Sequence, residues 1–231
     1  MRLEKFIADT TNISRKNIKK LIIQKRIKVN NQIVLKSIQI TENDDVYLDN
    51  KKLLYQKFSY FMLNKPQGYV CANEDKKHKT VFDLINVNKN KFFTYGRLDK
   101  DTEGLLIISN DGILAHQLLT TKYHIPKTYF VQTNIDISEN IYDFNKPIIL
   151  DNHIIKNYKF VKNTNNTCYL TIYSGIFHQV KRMMQFFGLE VTYLKRVQFG
   201  DLNLDQNLKL GQYRELTKSE INLLKNKLNS N

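Results

Sequence analysis

The chain has 231 residues, enough for one domain or two, and its 42% hydrophobic content suffices to fill a core, which excludes global disorder. Thirty-six Lys and Arg stand against 22 Asp and Glu, a formal charge of +14 that suits a polyanionic partner, nucleic acid above all. Membrane attachment is not expected, because no apolar run approaches the ~18 residues that span a bilayer and Met1-Arg2-Leu3-Glu4-Lys5-Phe6 carries neither a signal-peptide core nor a lipidation motif.

The charge is concentrated at one end: residues 1–36 hold ten Lys and Arg against only Glu4 and Asp9. Leu3, Phe6 and Ile7 fall at helical spacing on one face. Ser14 is placed to cap a second helix, in which Ile18, Leu21 and Ile22 repeat that spacing. Arg15, Lys16, Lys19 and Lys20 then share the face turned away from the apolar one, with no matching acids, and are the candidate RNA contacts of this region. Ile27-Lys28-Val29 and Ile33-Val34 flank Asn30-Asn31, a pair that tolerates left-handed turn geometry, and so read as a hairpin. Val46-Tyr47-Leu48 reads as another strand. The pattern Arg2-Leu3-x-Lys5-Phe6, Ser14-Arg15, Leu21-Ile22, Arg26-Ile27-x-Val29-Asn30 resembles the S4 RNA-binding domain, which implies contact with RNA but no chemistry. Polar residues 49–57 read as a hinge, giving expected domains of 1–56 and 57–231.

Beyond the hinge the periodicity turns mainly to strands: Tyr60–Leu63, Tyr69–Cys71, Phe92–Tyr95, Leu105–Ile108, Tyr129–Val131 and Tyr169–Ile172. Helices are predicted at Val81–Leu84, Ile113–Leu119, Val180–Phe187 and Ser219–Leu228. The fold class expected is α+β, with a mixed, largely antiparallel sheet and flanking helices behind the small N-terminal module. Cys71 and Cys168 are too few and too far apart for a disulfide framework, which fits a reduced, cytoplasmic compartment.

No phosphate-cradling glycine loop, nucleophile elbow or zinc-type His/Cys spacing is present, so no metal site is expected. The densest polar constellation is Gly96-Arg97-Leu98-Asp99-Lys100-Asp101-Thr102-Glu103-Gly104, a loop between an aromatic and an apolar strand. It imitates the start of a calcium loop, but the twelfth position is Asn110 and a strand enters where a helix should. The second constellation is Gly175–Met184. As a helix it carries an apolar stripe of Val180, Met183, Met184 and Phe187 and a polar one of His178, Lys181, Arg182 and Gln185. Two cations at a helix start oppose its dipole and call for an anionic partner, a carboxylate or an RNA phosphate.

The run Gly96–Leu106 followed by Asn110-Asp111-Gly112 resembles the signature of the RsuA-type pseudouridine synthases. Leu63-Asn64-Lys65-Pro66-x-Gly68, Lys127-Thr128-Tyr129-x-Val131, His178–Met183, Leu194-Lys195-Arg196-Val197 with Gly200, and Gly211–Leu216 agree in order. Asp201 stands where many relatives carry proline. The resemblance implies that Asp99 is the catalytic carboxylate and that Arg97 enters the RNA to help expel the target nucleotide. It implies too that Tyr129 stacks on the flipped base, and that Lys181, where relatives often carry arginine, pairs with Asp99. His178 and Arg182, with Gln179, are expected to brace the helix or touch phosphate. No cofactor and no metal is implied. The form His-Gln-Val-Lys-Arg-Met resembles enzymes of small-subunit rRNA, so the expected partner is 16S rRNA or a partly assembled small subunit, met by a monomer. The alternatives are a 23S rRNA or transfer RNA pseudouridine synthase and a non-catalytic ribosome-assembly factor.

Overall fold

The structure is a computed structural model that describes residues 1–11, 13–41, 43–53, 58–120 and 124–226. The chain forms two compact units, Met1–Phe58 and Ser59–Asn231. The expected boundary at residue 56 falls within 54–57, outside the described residues.

In the first unit, α1 (Leu3–Thr10) and α2 (Arg15–Ile23) precede β1 (Ile27–Val29), β2 (Gln32–Ile33), β3 (Val46–Leu48) and β4 (Lys51–Leu53). The strands form an antiparallel sheet in the order β2-β1-β3-β4. Ser14 Oγ caps α2 by accepting from the Asn17 amide at 3.3 Å. Leu3, Phe6, Ile7, Ile18 and Ile22 pack with Ile27, Val29 and Val46 in one core. That burial turns Arg15, Lys16, Lys19 and Lys20 outward, and all four are exposed. Asn30 and Asn31 both have positive φ, 50° and 65°, as the primed two-residue hairpin turn demands. Asp49 and Asn50 repeat that geometry. Residues 49–53 are therefore a second hairpin turn and strand rather than the expected hinge, because Asp49 accepts two bonds from Arg26 and β4 pairs with β3.

The second unit is a nine-stranded sheet flanked by helices. Its strands run β5 (Tyr60–Lys65), β6 (Phe93–Thr94), β7 (Glu103–Ser109), β8 (Lys127–Thr133), then the separate hairpin β9 (Ile148–Leu150) and β10 (His153–Ile155). They continue with β11 (Tyr158–Lys162), β12 (Thr167–Ile172), β13 (Val191–Phe199), β14 (Leu202–Asn203) and β15 (Tyr213–Glu215). The helices are α3 (Gly112–Leu119), α4 (Gln179–Phe186) and α5 (Lys218–Asn226); the rest of the expected last helix, residues 227–228, lies outside the described residues. The main path is β11-β12-β8-β13-β7-β5-β15, with β6 beside β7 and β14 beside β13. Every pairing in it is antiparallel except β13 with β7. All of β7 is buried, which is why Leu105–Ile108 reads as a continuous apolar run rather than an alternating one.

Three expectations are corrected. Tyr69–Cys71 is not a strand; only Val70 forms an isolated bridge, to Thr80. Val81–Asp83 is a 3-10 turn, too short for an α-helix. Glu103 and Gly104 belong to β7 and not to the polar loop, since they pair with Lys195 and Arg196 of β13. Among the described residues no helix is long and apolar enough to cross a membrane.

Candidate active site

The loop between β6 and β7 is fixed from beneath by Lys65, at the end of β5. Its side chain is fully buried, and its ammonium donates to the carbonyls of Thr102 (2.8 Å), Asp99 (3.0 Å), Pro66 (3.1 Å) and Lys100 (3.3 Å). Burial lowers the pKa of Lys65, and the neighbouring acidic groups only partly offset this. The Gly68 amide also reaches the Lys100 carbonyl, and the Thr102 amide closes back on the Asp99 carbonyl. Leu98 is buried beneath the loop, its amide donating to Cys71 Sγ. Burial raises the Cys71 thiol, which stays a free cysteine. The backbone on either side of Asp99 is thus held while its side chain stays 28% exposed.

Gly104 makes the next step possible. At φ +102° it lies against β13 so closely that an added Cβ would stand 2.2 Å from the Arg196 carbonyl oxygen. Only glycine allows that approach.

Facing the loop is the start of α4. His178 is its N-cap residue in the left-handed conformation, with its ring stacked on Phe177. Gln179 is buried and ties this turn together, bonding Ser174 Oγ and accepting from the Ile176 amide. His178 Nε2 lies 3.7 Å from Asp99 Oδ1 and Lys181 Nζ 3.6 Å from Asp99 Oδ2. The shorter contacts of Lys181 are with Asp101, at 2.6 and 2.7 Å. Burial raises the Asp101 carboxyl, but the hydrogen bond and charge of Lys181, with the loop backbone and His178 adding to them, together hold the group below the usual carboxylate range. Lys181 is therefore shared between two aspartates rather than reserved for Asp99.

Tyr129, 8% exposed on β8, forms the wall opposite. Arg97, Asp99, Tyr129, His178 and Lys181 all line one small cleft of about 80 Å³. Arg97 is exposed beside it. Arg182 is not part of the lining; it binds Asp151, at the turn of the β9–β10 hairpin, at 2.5 Å. Both cations at the start of α4 thus have carboxylate partners. Sequence reasoning singled out neither Lys65 as the support of the loop nor Asp101 as the partner of Lys181. The signals for Lys65 were its place in the Leu63-Asn64-Lys65-Pro66 stretch and at the end of a mainly apolar strand. Among the described residues no group of three His, Cys, Asp or Glu is placed to hold a metal ion.

This is a rigidly presented carboxylate in a cleft with one aromatic wall and cationic neighbours, in a chain that also carries a separate basic unit. The family model described as RNA pseudouridylate synthase matches residues 59–186, and the S4 domain model matches residues 1–46. The chain is 38% identical to the ribosomal small subunit pseudouridine synthase A of Haemophilus influenzae, covering 97% of this chain and 99% of that one. With the protein of the same name from Escherichia coli K12 it shares 37% identity over 96% and 98%. An RNA pseudouridine synthase of Bacillus subtilis is 40% identical over 97% and 98%. A solved pseudouridylate synthase superposes with a TM-score of 0.70 at 36% identity, covering 97% and 99%. The chain belongs to the RNA pseudouridylate synthase family, in its S4-domain-bearing, RsuA-type branch. It is an enzyme of the isomerase class that acts on RNA.

Proposed function

We propose that the protein converts one uridine of 16S ribosomal RNA to pseudouridine, with Asp99 as its catalytic carboxylate. The reaction breaks the bond from C1′ to N1, turns the base and joins C1′ to C5; C5 loses a proton and N1 gains one, so no net oxidation occurs. The observation that carries the reading is Asp99 itself, held through its own carbonyl by buried Lys65 and flanked at 3.6 and 3.7 Å by Lys181 and His178. A preorganised carboxylate can meet an electron-poor carbon and leave it again without rearranging its support. Tyr129 offers a ring on which an extruded base regains the stacking it loses, and exposed Arg97 is placed to enter the RNA as that base leaves. The small-subunit assignment is supported by the names of the Haemophilus and Escherichia relatives. The enzyme works in the cytoplasm as a monomer, on 16S rRNA or a partly assembled small subunit.

Pseudouridine mapping of rRNA from cells with and without the gene tests the target: one 16S position loses its modification when the gene is deleted. Restoring the gene as Asp99→Asn leaves that position unmodified. In vitro the variant loses roughly 10⁴-fold or more in conversion, the scale of a deleted catalytic group, while binding RNA within a few-fold. A variant converting at a tenth of the parent rate would remove Asp99 from its role.

A further inference from the structure

Beside the Asp99 cleft, and sharing Arg97, Tyr129 and His178 with it, lies a second hollow of about 460 Å³. Lys127, Arg196 and Phe199 line it, and none of them has a role above. Strand geometry brings them together. Lys127 and Tyr129 are two residues apart on β8 and face the same side of the sheet. Their cross-strand partners on β13 are Phe199 and Arg196. In a regular strand residues 196 and 199 would face opposite sides. The register shift between Arg196 and Gln198 inserts the extra residue that turns both toward the hollow.

The result is a pair of inward cations without a counterion among the described residues. Arg196 is 2% exposed; its Nε donates to the Leu105 carbonyl at 2.8 Å, but its Nη2 is buried with no hydrogen-bond partner. The Lys127 ammonium has no hydrogen bond or ion pair among the described residues and rests against the Phe199 ring, 5.7 Å from its centre, with the Arg196 guanidinium at 5.4 Å. Burial, with Arg196 adding to it, pushes Lys127 down to about 8. Asp99 is the single acid among the lining residues, and it faces Lys181 and His178. Two like charges side by side, one buried and one half-buried, are unfavourable unless an anion joins them.

We propose that Lys127 and Arg196 form a seat for one backbone phosphate of the substrate RNA, next to the extruded uridine. A guanidinium fork and a point-charge ammonium together suit a phosphate oxyanion. The seated phosphate fixes the nucleotide so that its base lies against Tyr129 and its C1′ before Asp99. The seat rests on the reading of the Asp99 cleft as a uridine pocket. In that arrangement Lys127 and Arg196 are positioning residues.

The test uses an RNA fragment around the uridine that mapping identifies, whichever RNA holds it. Single neutral methylphosphonates are placed in turn at the phosphates on either side of that uridine. Parent, Lys127→Met and Lys127→Arg are compared by equilibrium binding and, separately, by single-turnover isomerisation. In the parent one position is sensitive, losing roughly tenfold, the scale of one charge-assisted contact. Lys127→Met loses a similar factor with natural RNA and is less sensitive than the parent to that methylphosphonate, because only Arg196 remains to feel it; Lys127→Arg stays fully sensitive. A flat methylphosphonate profile in the parent, or losses that multiply in Lys127→Met at every position, would overturn the seat. Because binding is read apart from turnover, the seat stands or falls on the binding profile alone, whereas the reading of the cleft falls if Asp99→Asn isomerises the same fragment at near the parent rate.

Discussion

Lys181 has two carboxylates to serve, and the distances rank them: 2.6 Å to Asp101 and 3.6 Å to Asp99. Asp101 therefore fixes where the ammonium stands, and Asp99 feels a cation held just beyond hydrogen-bonding range. Lys181→Ala removes that cation and should lower the single-turnover rate at least ~100-fold, with Lys181→Arg restoring much of it; surface decoration would cost less than about 0.5 kcal/mol of stability and no activity. Asp101→Asn loosens the ammonium without removing it and should cost roughly tenfold or less. Equal rates for Lys181→Ala and the parent would end the pairing. Lys127 titrates as an unusual lysine and gives a second test. Its folded pKa is about 8, below the ordinary 10.5, so the folded state sheds this proton before the unfolded state does. Between those two values the unfolded state binds more protons, and stability rises with pH. Below pH ~8 the half-buried charge opposes folding, by about 1–2 kcal/mol once solvent screening is allowed for. Lys127→Met should therefore be more stable than the parent in urea melts at pH ~7, with the difference shrinking toward pH ~10. A difference independent of pH would contradict this account of Lys127.

Pairing between β7 and β13 helps set the position of the Asp99 loop, and Gly104 permits that pairing. Gly104→Ala must move Arg196 backbone atoms that lie 2.2 and 2.8 Å from the new Cβ, at a φ that side chains rarely adopt. A loss of ~3 kcal/mol or more in a denaturant melt is expected, with activity falling as Asp99 shifts. Elements whose side chains follow one simple period were legible in the sequence. The faces of α1 and α2, the Asn30-Asn31 turn, the fully buried β7 and the two stripes of α4 all announce themselves by spacing. The middle of β13 does not, because Lys195 and Arg196 interrupt its apolar pattern, and they belong there for the close approach to Gly104 and the hollow beside β8. Tyr69-Val70-Cys71 misleads in the opposite sense: the residues favour strand, yet only Val70 finds a backbone partner. The resemblance brought Asp99, Tyr129 and Lys181 forward together, and all three line one cleft. What stayed hidden was what depends on distant backbone. The ammonium of Lys65 is satisfied by carbonyls 34 to 37 residues onward, and the bulge after Arg196 turns two residues to one side. No local pattern encodes either.

At the scale of the whole chain the +14 charge is unevenly distributed, and Arg15, Lys16, Lys19 and Lys20 form an exposed basic face on α2. Changing all four to Ala should weaken RNA binding and flatten its log–log salt slope by about 3, at about 0.7 per single-strand phosphate, while saturating RNA rescues most of the turnover. An unaltered slope would show that the face is merely solvated. The two units also differ in how far along the chain their contacts reach. Contacts within the first unit span fewer than 58 residues. In the second, Asn64 on β5 bonds the carbonyl of Leu208, 144 residues on, and Arg196 reaches back 91 residues to Leu105. Contacts that distant in sequence slow folding, because a long loop must close before they repay it. Synthesis runs from the N-terminus, so a growing chain completes its S4 unit while the strands that hold Asp99 in place have yet to leave the ribosome. A newborn chain is therefore expected to grip RNA before it can modify it.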